Sequence, residues 1–232
     1  MGIITTAAGI DMLLHWGHFM AGVAWIGLLY YFNFVQTEYF KEADAAAKSD
    51  AIRKLVPKAL WWFRWGSVAT VATGIGIFAV KGGSMPIDIY VGALMGLLMF
   101  TNVWLIIWPN QQIVIASAEQ AATGGTALPE AADALAKAGL ASRTNALFSI
   151  PMLFFMGASA HYPHSSGFLA MLLAVAVILA VEYNGAYALI KHFDVVKKLP
   201  AGGIMGPMAS VKGVIHCGLG LTVVLLLILE LL

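Results

Sequence analysis

The chain has 232 residues, a net charge of +1 and a composition that is 60% hydrophobic and only 11% charged. A soluble domain has about 25% charged residues, so this composition excludes an ordinary soluble protein and predicts an integral membrane protein in contact with the lipid bilayer. The single cysteine, Cys217, excludes an internal disulfide, a C-x-x-C-H haem attachment and a cysteine-based zinc or iron–sulfur centre. We expect no nucleic-acid partner.

Six apolar stretches stand out, and a bilayer core requires about 20 apolar residues for each spanning helix. In chain order they are residues 12–34, 61–80, 87–108, 144–160, 167–190 and 212–232. The predicted fold is therefore an all-α integral membrane protein, a bundle of about six transmembrane helices that forms a single domain over residues 1–232.

The connections between the spans differ in length and character. The first contains a segment with few helix breakers, residues 45–55, which is predicted to be helical. The third is a long loop, residues 109–143, with a short helix that starts near Pro129 and stops at Gly139. Pro151 is expected to kink the fourth span.

Positive charges are distributed very unevenly between the connections. Of the 13 lysines and arginines, all but Lys81 lie in or beside the first, third and fifth connections. Because cytoplasmic loops are enriched in Lys and Arg, the odd-numbered connections are predicted to be cytoplasmic and both termini to lie outside, in the periplasm. Residues 1–11 lack the basic segment of a cleavable signal, so none is expected. The expected location is the bacterial inner membrane.

The first span carries two histidines one helical turn apart, His15 and His18. At 100° per residue, they share one side of the helix with Gly22, Trp25 and Asn33. An imidazole inside a bilayer is costly and usually binds something or finds a partner in the protein interior. A glycine on the same side would let a flat group come close. The pattern favours His18, together with His15, as a metal or haem ligand.

Two more histidines, His161 and His164, lie at and just after the end of the fourth span, on the same predicted side of the membrane. Two facing histidines are the usual axial ligands of a buried b-type haem, whereas three would suit copper or zinc. We predict haem b, with its iron held by His18 and His161. In the alternative interpretation His15 is interfacial and His161 and His164 are solvated, and for His164 that alternative is favoured.

A second polar set is predicted nearer the cytoplasm. His216, in the sixth span, shares a face with two glycines and is a further candidate for cofactor binding. Glu182 lies deep in the fifth span with no basic residue at its depth, where an isolated ionised carboxylate is very costly. Asn102 and Asn184 are its plausible partners. This set either forms a proton path or quinone contact, or it holds a protonated glutamate that ties helices together.

Four segments resemble the membrane domain of the PuuD-type urate oxidases, in the same order from residue 12 to about residue 163. They are LLHWGHFMAGVAWIGLLYYF (13–32), NVWLIIWPNQ (102–111), SRTNALFSIPMLFFM (142–156) and HYP (161–163). Members of that family couple a multi-spanning N-terminal membrane domain to a C-terminal cytochrome c. This chain ends at Leu232 with no cytochrome c domain, so the resemblance implies that any electron acceptor is a separate cytochrome c or a quinone.

The first span also resembles the first helix of the HemJ and CopD groups of membrane proteins. In those groups a helix histidine precedes a tryptophan by seven positions, as His18 precedes Trp25. HemJ-type proteins are haem-dependent oxidoreductases, so this resemblance implies that His18 is an axial haem ligand.

Three functions compete at this point. The first is an inner-membrane redox protein that passes electrons between a small substrate or quinol and a separate periplasmic cytochrome. The second is a cofactor-free accessory subunit of a larger membrane oxidase or respiratory complex, and the third is a metal or solute transporter. No nucleotide-binding loop, nucleophile elbow or H-E-x-x-H motif indicates another enzyme class. We favour the redox protein, and the sequence leaves open whether it is itself an enzyme.

Overall fold

The computed structural model describes residues 2–82, 85–186 and 206–232, and these residues form helices and no strand. The principal helices are α1 (Ala7–Glu42), α2 (Ala45–Lys54), α3 (Val56–Lys81), α4 (Ile87–Ala122), α5 (Ala131–His161), α6 (Phe168–Gly185) and α7 (Val211–Leu231). The predicted all-helical fold is confirmed for this part of the chain, and so is the helix predicted in the first connection.

Two of the long helices contain a π-helical stretch. In α1 it covers Tyr31–Gln36, and in α4 it covers Val103–Ile107. Such stretches interrupt the α-helical hydrogen-bond ladder and occur often at functional sites. Each one here contains or directly follows a buried asparagine, Asn33 in α1 and Asn102 in α4.

Five of the described helices, α1, α3, α4, α6 and α7, are long and apolar enough to cross a membrane. The fourth predicted span also forms a helix, α5, but it is less apolar than the other five and carries buried polar side chains. The protein is therefore a multi-pass helical membrane protein. Six crossings and an external position for both termini stay predictions.

The helices reach well beyond the predicted spans. α1 continues to Glu42 and α4 to Ala122, so that only residues 123–130 separate α4 from α5. The prediction of a long loop over residues 109–143 was therefore wrong. Pro109 does not end α4, because it occupies the first turn after the π-helical stretch, a position that tolerates proline.

The prediction that Gly139 ends a short helix was also wrong. α5 runs through this glycine without interruption, and through Pro151 as well. The early part of α5 packs on the end of α4 and buries three small side chains, Ala134, Ala138 and Ala141. This burial outweighs the cost of one glycine in a helix, which is about 1 kcal/mol relative to alanine.

α5 lies at the centre of the bundle. It packs against α4, α6 and α7, and it buries the rings of Phe148 and Phe155 completely. The close approach expected at two glycines of α4 is present here: a Cβ on Gly92 would lie 3.4 Å from the Met152 carbonyl oxygen, and one on Gly96 would lie 3.5 Å from the Met152 sulfur. Small residues let helix backbones approach in this way in membrane proteins.

α1 and α3 form a second tightly packed unit. A Cβ added to Gly66 of α3 would lie 3.2 Å from the Trp25 backbone nitrogen, which leaves no room for a larger side chain. α1 joins the central helices further along, where Tyr30 Oη lies 2.9 Å from Ser149 Oγ and Asn33 Nδ2 donates to Ser142 Oγ at 2.8 Å.

The last four residues of the fifth predicted span, 187–190, lie outside the described residues. So do several basic residues of the fifth connection that contributed to the predicted topology: Lys191, Lys197 and Lys198.

Two glycines one half-turn apart on α7 give a matched test of this packing. A Cβ on Gly218 would lie 2.9 Å from the Leu147 carbonyl oxygen and 2.5 Å from Ile150 Cδ1, whereas one on Gly220 would meet nothing within 4 Å. Gly218→Ala is expected to reduce the free energy of unfolding by about 1–3 kcal/mol, because α7 must move away from α5. Gly220→Ala is expected to leave it unchanged or raise it by up to about 1 kcal/mol through helix propensity. Thermal unfolding in detergent measures both, and equal effects would contradict this packing.

Candidate functional site

His18 faces α3. Its Nδ1 atom lies 3.1 Å from Thr73 Oγ1, and the ring packs over Gly74, where an added Cβ would lie 3.3 Å from His18 Cε1. A side chain at position 74 would therefore crowd the imidazole, and glycine avoids that contact.

The hydrogen bonds of Thr73 fix the tautomer of His18. Thr73 Oγ1 lies 2.7 Å from the Ala69 carbonyl oxygen and 2.9 Å from that of Thr70, so the hydroxyl donates its single hydrogen to the backbone of α3. It is then placed to accept from His18, and we assign the hydrogen of the neutral imidazole to Nδ1 on this basis. The lone pair is left on Nε2. Histidines that bind metals have this arrangement, in which one ring nitrogen donates to a neighbour and the other is a ligand.

The side of α1 that carries His18 also offers space and a donor. Gly22 lies one turn further along, and a Cβ there would meet nothing within 4 Å. Trp25 is 1% exposed, and its indole Nε1–H is buried with no acceptor among the described residues. A buried unpaired donor is costly and rare in a native structure. The predicted grouping of His18, Gly22 and Trp25 thus combines a possible ligand, an open position and an unsatisfied N–H group.

His15 lies one turn before His18 and has partners of its own. Its Nδ1 atom is 2.8 Å from the Asp11 backbone oxygen and 3.2 Å from Asp11 Oδ1. Lys81, at the end of α3, lies 3.4 Å from the other carboxylate oxygen of Asp11. The charges of Asp11 and Lys81 place His15 at a polar end of the α1–α3 unit.

The remaining predicted ligands lie elsewhere. His161 is exposed at the last residue of α5, and His216 is exposed on α7. Within the described ranges, no group of three or more His, Cys, Asp or Glu side chains is arranged to hold a metal ion.

The side chain of His164 is buried, contrary to the interpretation that it is solvated. Its Nδ1 atom lies 2.6 Å from Asp88 Oδ1, its backbone N–H donates to Asp88 Oδ2 at 2.8 Å, and its Nε2 atom lies 3.3 Å from Glu230 Oε1. The side chain of Asp88 is fully buried and that of His164 is 5% exposed. The cluster ties the start of α4 to the turn after α5 and to the end of α7.

Sequence reasoning missed Asp88 altogether. The available signal was a carboxylate in the first turn of an apolar span, at the same predicted end of the bundle as His164. Tyr162 belongs to the same cluster, since a hydrogen bond to the Glu230 carboxylate raises the pKa of the Tyr162 hydroxyl. Two shallow cavities of about 420 and 350 Å³ flank this turn, and His164 lines both.

A second buried polar group lies between α4, α5 and α6. Asn102 Nδ2 donates to Glu182 Oε2 at 3.1 Å and to Asn145 Oδ1 at 2.9 Å, and Asn145 Nδ2 donates to the Met99 carbonyl oxygen at 2.9 Å. The pairing of Glu182 with Asn102 that the sequence suggested is thus present. Asn145 was not singled out from the sequence, since an asparagine in the motif SRTN has no partner visible from spacing alone.

Asp88 gives a direct test of the His164 cluster. Asp88→Ala is expected to reduce the free energy of unfolding by about 3 kcal/mol, because it leaves the buried His164 imidazole without its carboxylate. Asp50→Ala is the matched control, since Asp50 is exposed on α2 beside Lys54 and is expected to change the unfolding midpoint little. Thermal unfolding in detergent compares the two variants, and equal midpoints would contradict a structural contact between Asp88 and His164.

The family model described as "Urate oxidase N-terminal" matches residues 86–219 of the chain. No curated protein and no solved structure matches the chain. The match contains Asp88, His164 and the Glu182 group, whereas Glu230 lies beyond it, and it extends the resemblance beyond residue 163. It begins after α3, so His15 and His18 lie outside the matched residues. Because the match covers more than half of the sequence, the chain belongs to the urate oxidase N-terminal family.

Proposed function

We propose that this protein is a redox protein of the bacterial inner membrane that binds haem b through His18. In this proposal electrons pass between a small substrate or quinol and a separate periplasmic cytochrome. The observation that supports the proposal is the contact between Thr73 and His18, which favours a hydrogen on Nδ1 and a lone pair on Nε2 that could bind a metal.

The residues around His18 fit a haem. Gly22 leaves an open position one turn from the proposed ligand, where a flat macrocycle needs close approach to the helix. The buried Trp25 N–H lacks an acceptor among the described residues, and a haem propionate or an ordered water would supply one. Haem, when bound, supplies one-electron redox chemistry at a potential that the axial ligands and their hydrogen bonds adjust.

The protein's own residues have defined tasks in this arrangement. Thr73 fixes the ring orientation and tautomer of His18, and Gly74 gives the imidazole space against α3. In this proposal His18 and His161 of α5 would hold the haem, because α5 ends on the side of the bundle where α1 begins. His15 would not hold it, because its ring is paired with Asp11.

The first experiment is a reduced-minus-oxidised spectrum with a pyridine haemochrome assay on the purified protein and on His18→Ala. The expected result is a b-type spectrum in the parent protein and its loss in the variant. His216→Ala is the matched control, since it removes an exposed histidine from α7 and is expected to retain the spectrum. In His161→Ala we expect a weakened or altered b-type spectrum, because one of the two residues that would hold the haem is lost.

A folded preparation without haem, after expression with sufficient haem supply, would contradict the proposal. The alternative function would then be the cofactor-free accessory subunit of a larger membrane complex, and persistent co-purification with other subunits would support it. A b-type spectrum that survives His18→Ala would retain haem binding but contradict the assignment of the ligand.

Thr73 provides a second, more specific prediction. Thr73→Val keeps the shape of the side chain but removes the acceptor for His18 Nδ1–H, and loss of such a hydrogen bond weakens metal binding by about 10–100-fold. We therefore expect haem affinity, measured by titration of the apoprotein, to fall by that factor. Thr101→Val is the matched control, because Thr101 Oγ1 also donates to its own helix, at Leu97, but is exposed. Equal affinities in the two variants would contradict the role of Thr73.

A further inference from the structure

The Glu182 group presents a charge problem. Glu182 is 7% exposed on α6, within a helix apolar enough to cross a membrane, and no basic side chain pairs with it among the described residues. An ionised carboxylate in such surroundings is very costly unless it is paired or well solvated. The single hydrogen bond from Asn102, at 3.1 Å, does not offset that cost.

The same group presents a hydrogen-bond problem. Asn102 is 1% exposed, and its Nδ2 atom uses its two hydrogens for Glu182 and Asn145. Its Oδ1 atom is buried and accepts no hydrogen bond within the described part of the chain. This acceptor belongs to the same carboxamide that contacts Glu182, so a hydrogen on the glutamate is the nearest means of satisfying it.

The positions of these side chains are fixed by the helices that carry them. Asn145 is fully buried and is anchored by its hydrogen bond to the Met99 backbone, and it in turn orients Asn102. α6 approaches α5 very closely beside Glu182, since a Cβ on Gly185 would lie 2.6 Å from Thr144 Cγ2. Asn102 directly precedes the π-helical stretch of α4. The site is therefore preorganised.

We propose that Glu182, Asn102 and Asn145 form an intramembrane proton-binding site. In the bound state the Glu182 carboxyl group carries the proton and donates it in a hydrogen bond to Asn102 Oδ1, while its other oxygen accepts from Asn102 Nδ2. One proton removes both the buried charge and the unsatisfied acceptor. The proton exchanges with water, so the site gives the membrane domain a place to take up or release a single positive charge.

The direct test is infrared spectroscopy of the purified protein in detergent or lipid at neutral pH. A protonated carboxyl group has a C=O band separate from that of a carboxylate, and the band shifts to lower frequency in D₂O when the proton exchanges. We expect one such band, lost in Glu182→Gln and unchanged in the control Glu230→Gln, whose carboxylate is partly exposed at the end of α7. Glutamine reproduces the donor and acceptor of the protonated acid, so this variant is expected to fold with unchanged stability.

Asn102→Leu tests the proposed acceptor. It removes both hydrogen bonds to the carboxyl group, so the band is expected to move to higher frequency. Asn33→Leu is the control, because Asn33 is also buried beside a π-helical stretch but bonds to Leu29 and Ser142 instead. An unchanged band in Asn102→Leu would overturn the assignment of Asn102.

A second measurement does not depend on the variants. A lipid-soluble carbodiimide adds to protonated carboxyl groups, and mass analysis of the unaltered protein is expected to locate the product on Glu182.

In the infrared test, loss of a carboxylate band in Glu182→Gln, in place of a protonated one, would overturn the proposal. If added sodium ions convert the band of the protonated carboxyl group into a carboxylate band, the proposal is also overturned, and the site is assigned to a metal cation. His18→Ala is expected to leave the band unchanged, so this result is independent of haem binding.

Discussion

The polar side chains of α5 have their partners inside the protein, because they lie in the packed centre of the bundle and a buried polar group without a hydrogen bond is costly. Ser142 accepts from Asn33 of α1, Ser149 pairs with Tyr30 of α1, and Asn145 bonds to the backbone and side chain of α4. Each of these hydrogen bonds can form only when the two helices that it joins are aligned in one register. Apolar packing alone tolerates sliding, whereas a displaced polar pair would leave a buried group unsatisfied. The position of α5 relative to α1 and α4 therefore depends on this stripe of polar residues.

The same constraint explains why α5 is less apolar than its neighbours. A helix that faces protein on most sides can carry Ser, Thr and Asn, whereas α6 and α7 expose leucines to the surroundings. One π-helical stretch contains Asn33 and the other directly follows Asn102, and α5 contacts both asparagines. α1 thus has two roles along its length. One part is held to α5 by polar bonds, and the part that carries His18 packs on α3.

Several elements could be predicted from the sequence because a local pattern determines them. The apolar spans follow from length and hydropathy, and the pairing of Glu182 with Asn102 follows from their similar depth in neighbouring spans. The Asp88–His164 pair was missed because it joins residues 76 positions apart and because a histidine in a short turn normally meets water. Likewise, no pattern within α1 reveals that Thr73 is the partner of His18. The prediction of a loop at 109–143 was wrong because the tertiary packing of small residues continues α5 through Gly139.

The two proposed sites are physically complementary. An electron that enters a protein interior of low dielectric adds a charge whose energy is large unless a counter-charge arrives with it. A buried carboxyl group that exchanges one proton can compensate such a charge without ordering water or ions in the bilayer. Glu182 suits this task because protonation leaves its surroundings neutral and fully hydrogen-bonded, whereas deprotonation leaves Asn102 Oδ1 unsatisfied. Protonation is therefore favoured at this site, and release of the proton has the cost of a buried charge and of an unsatisfied acceptor.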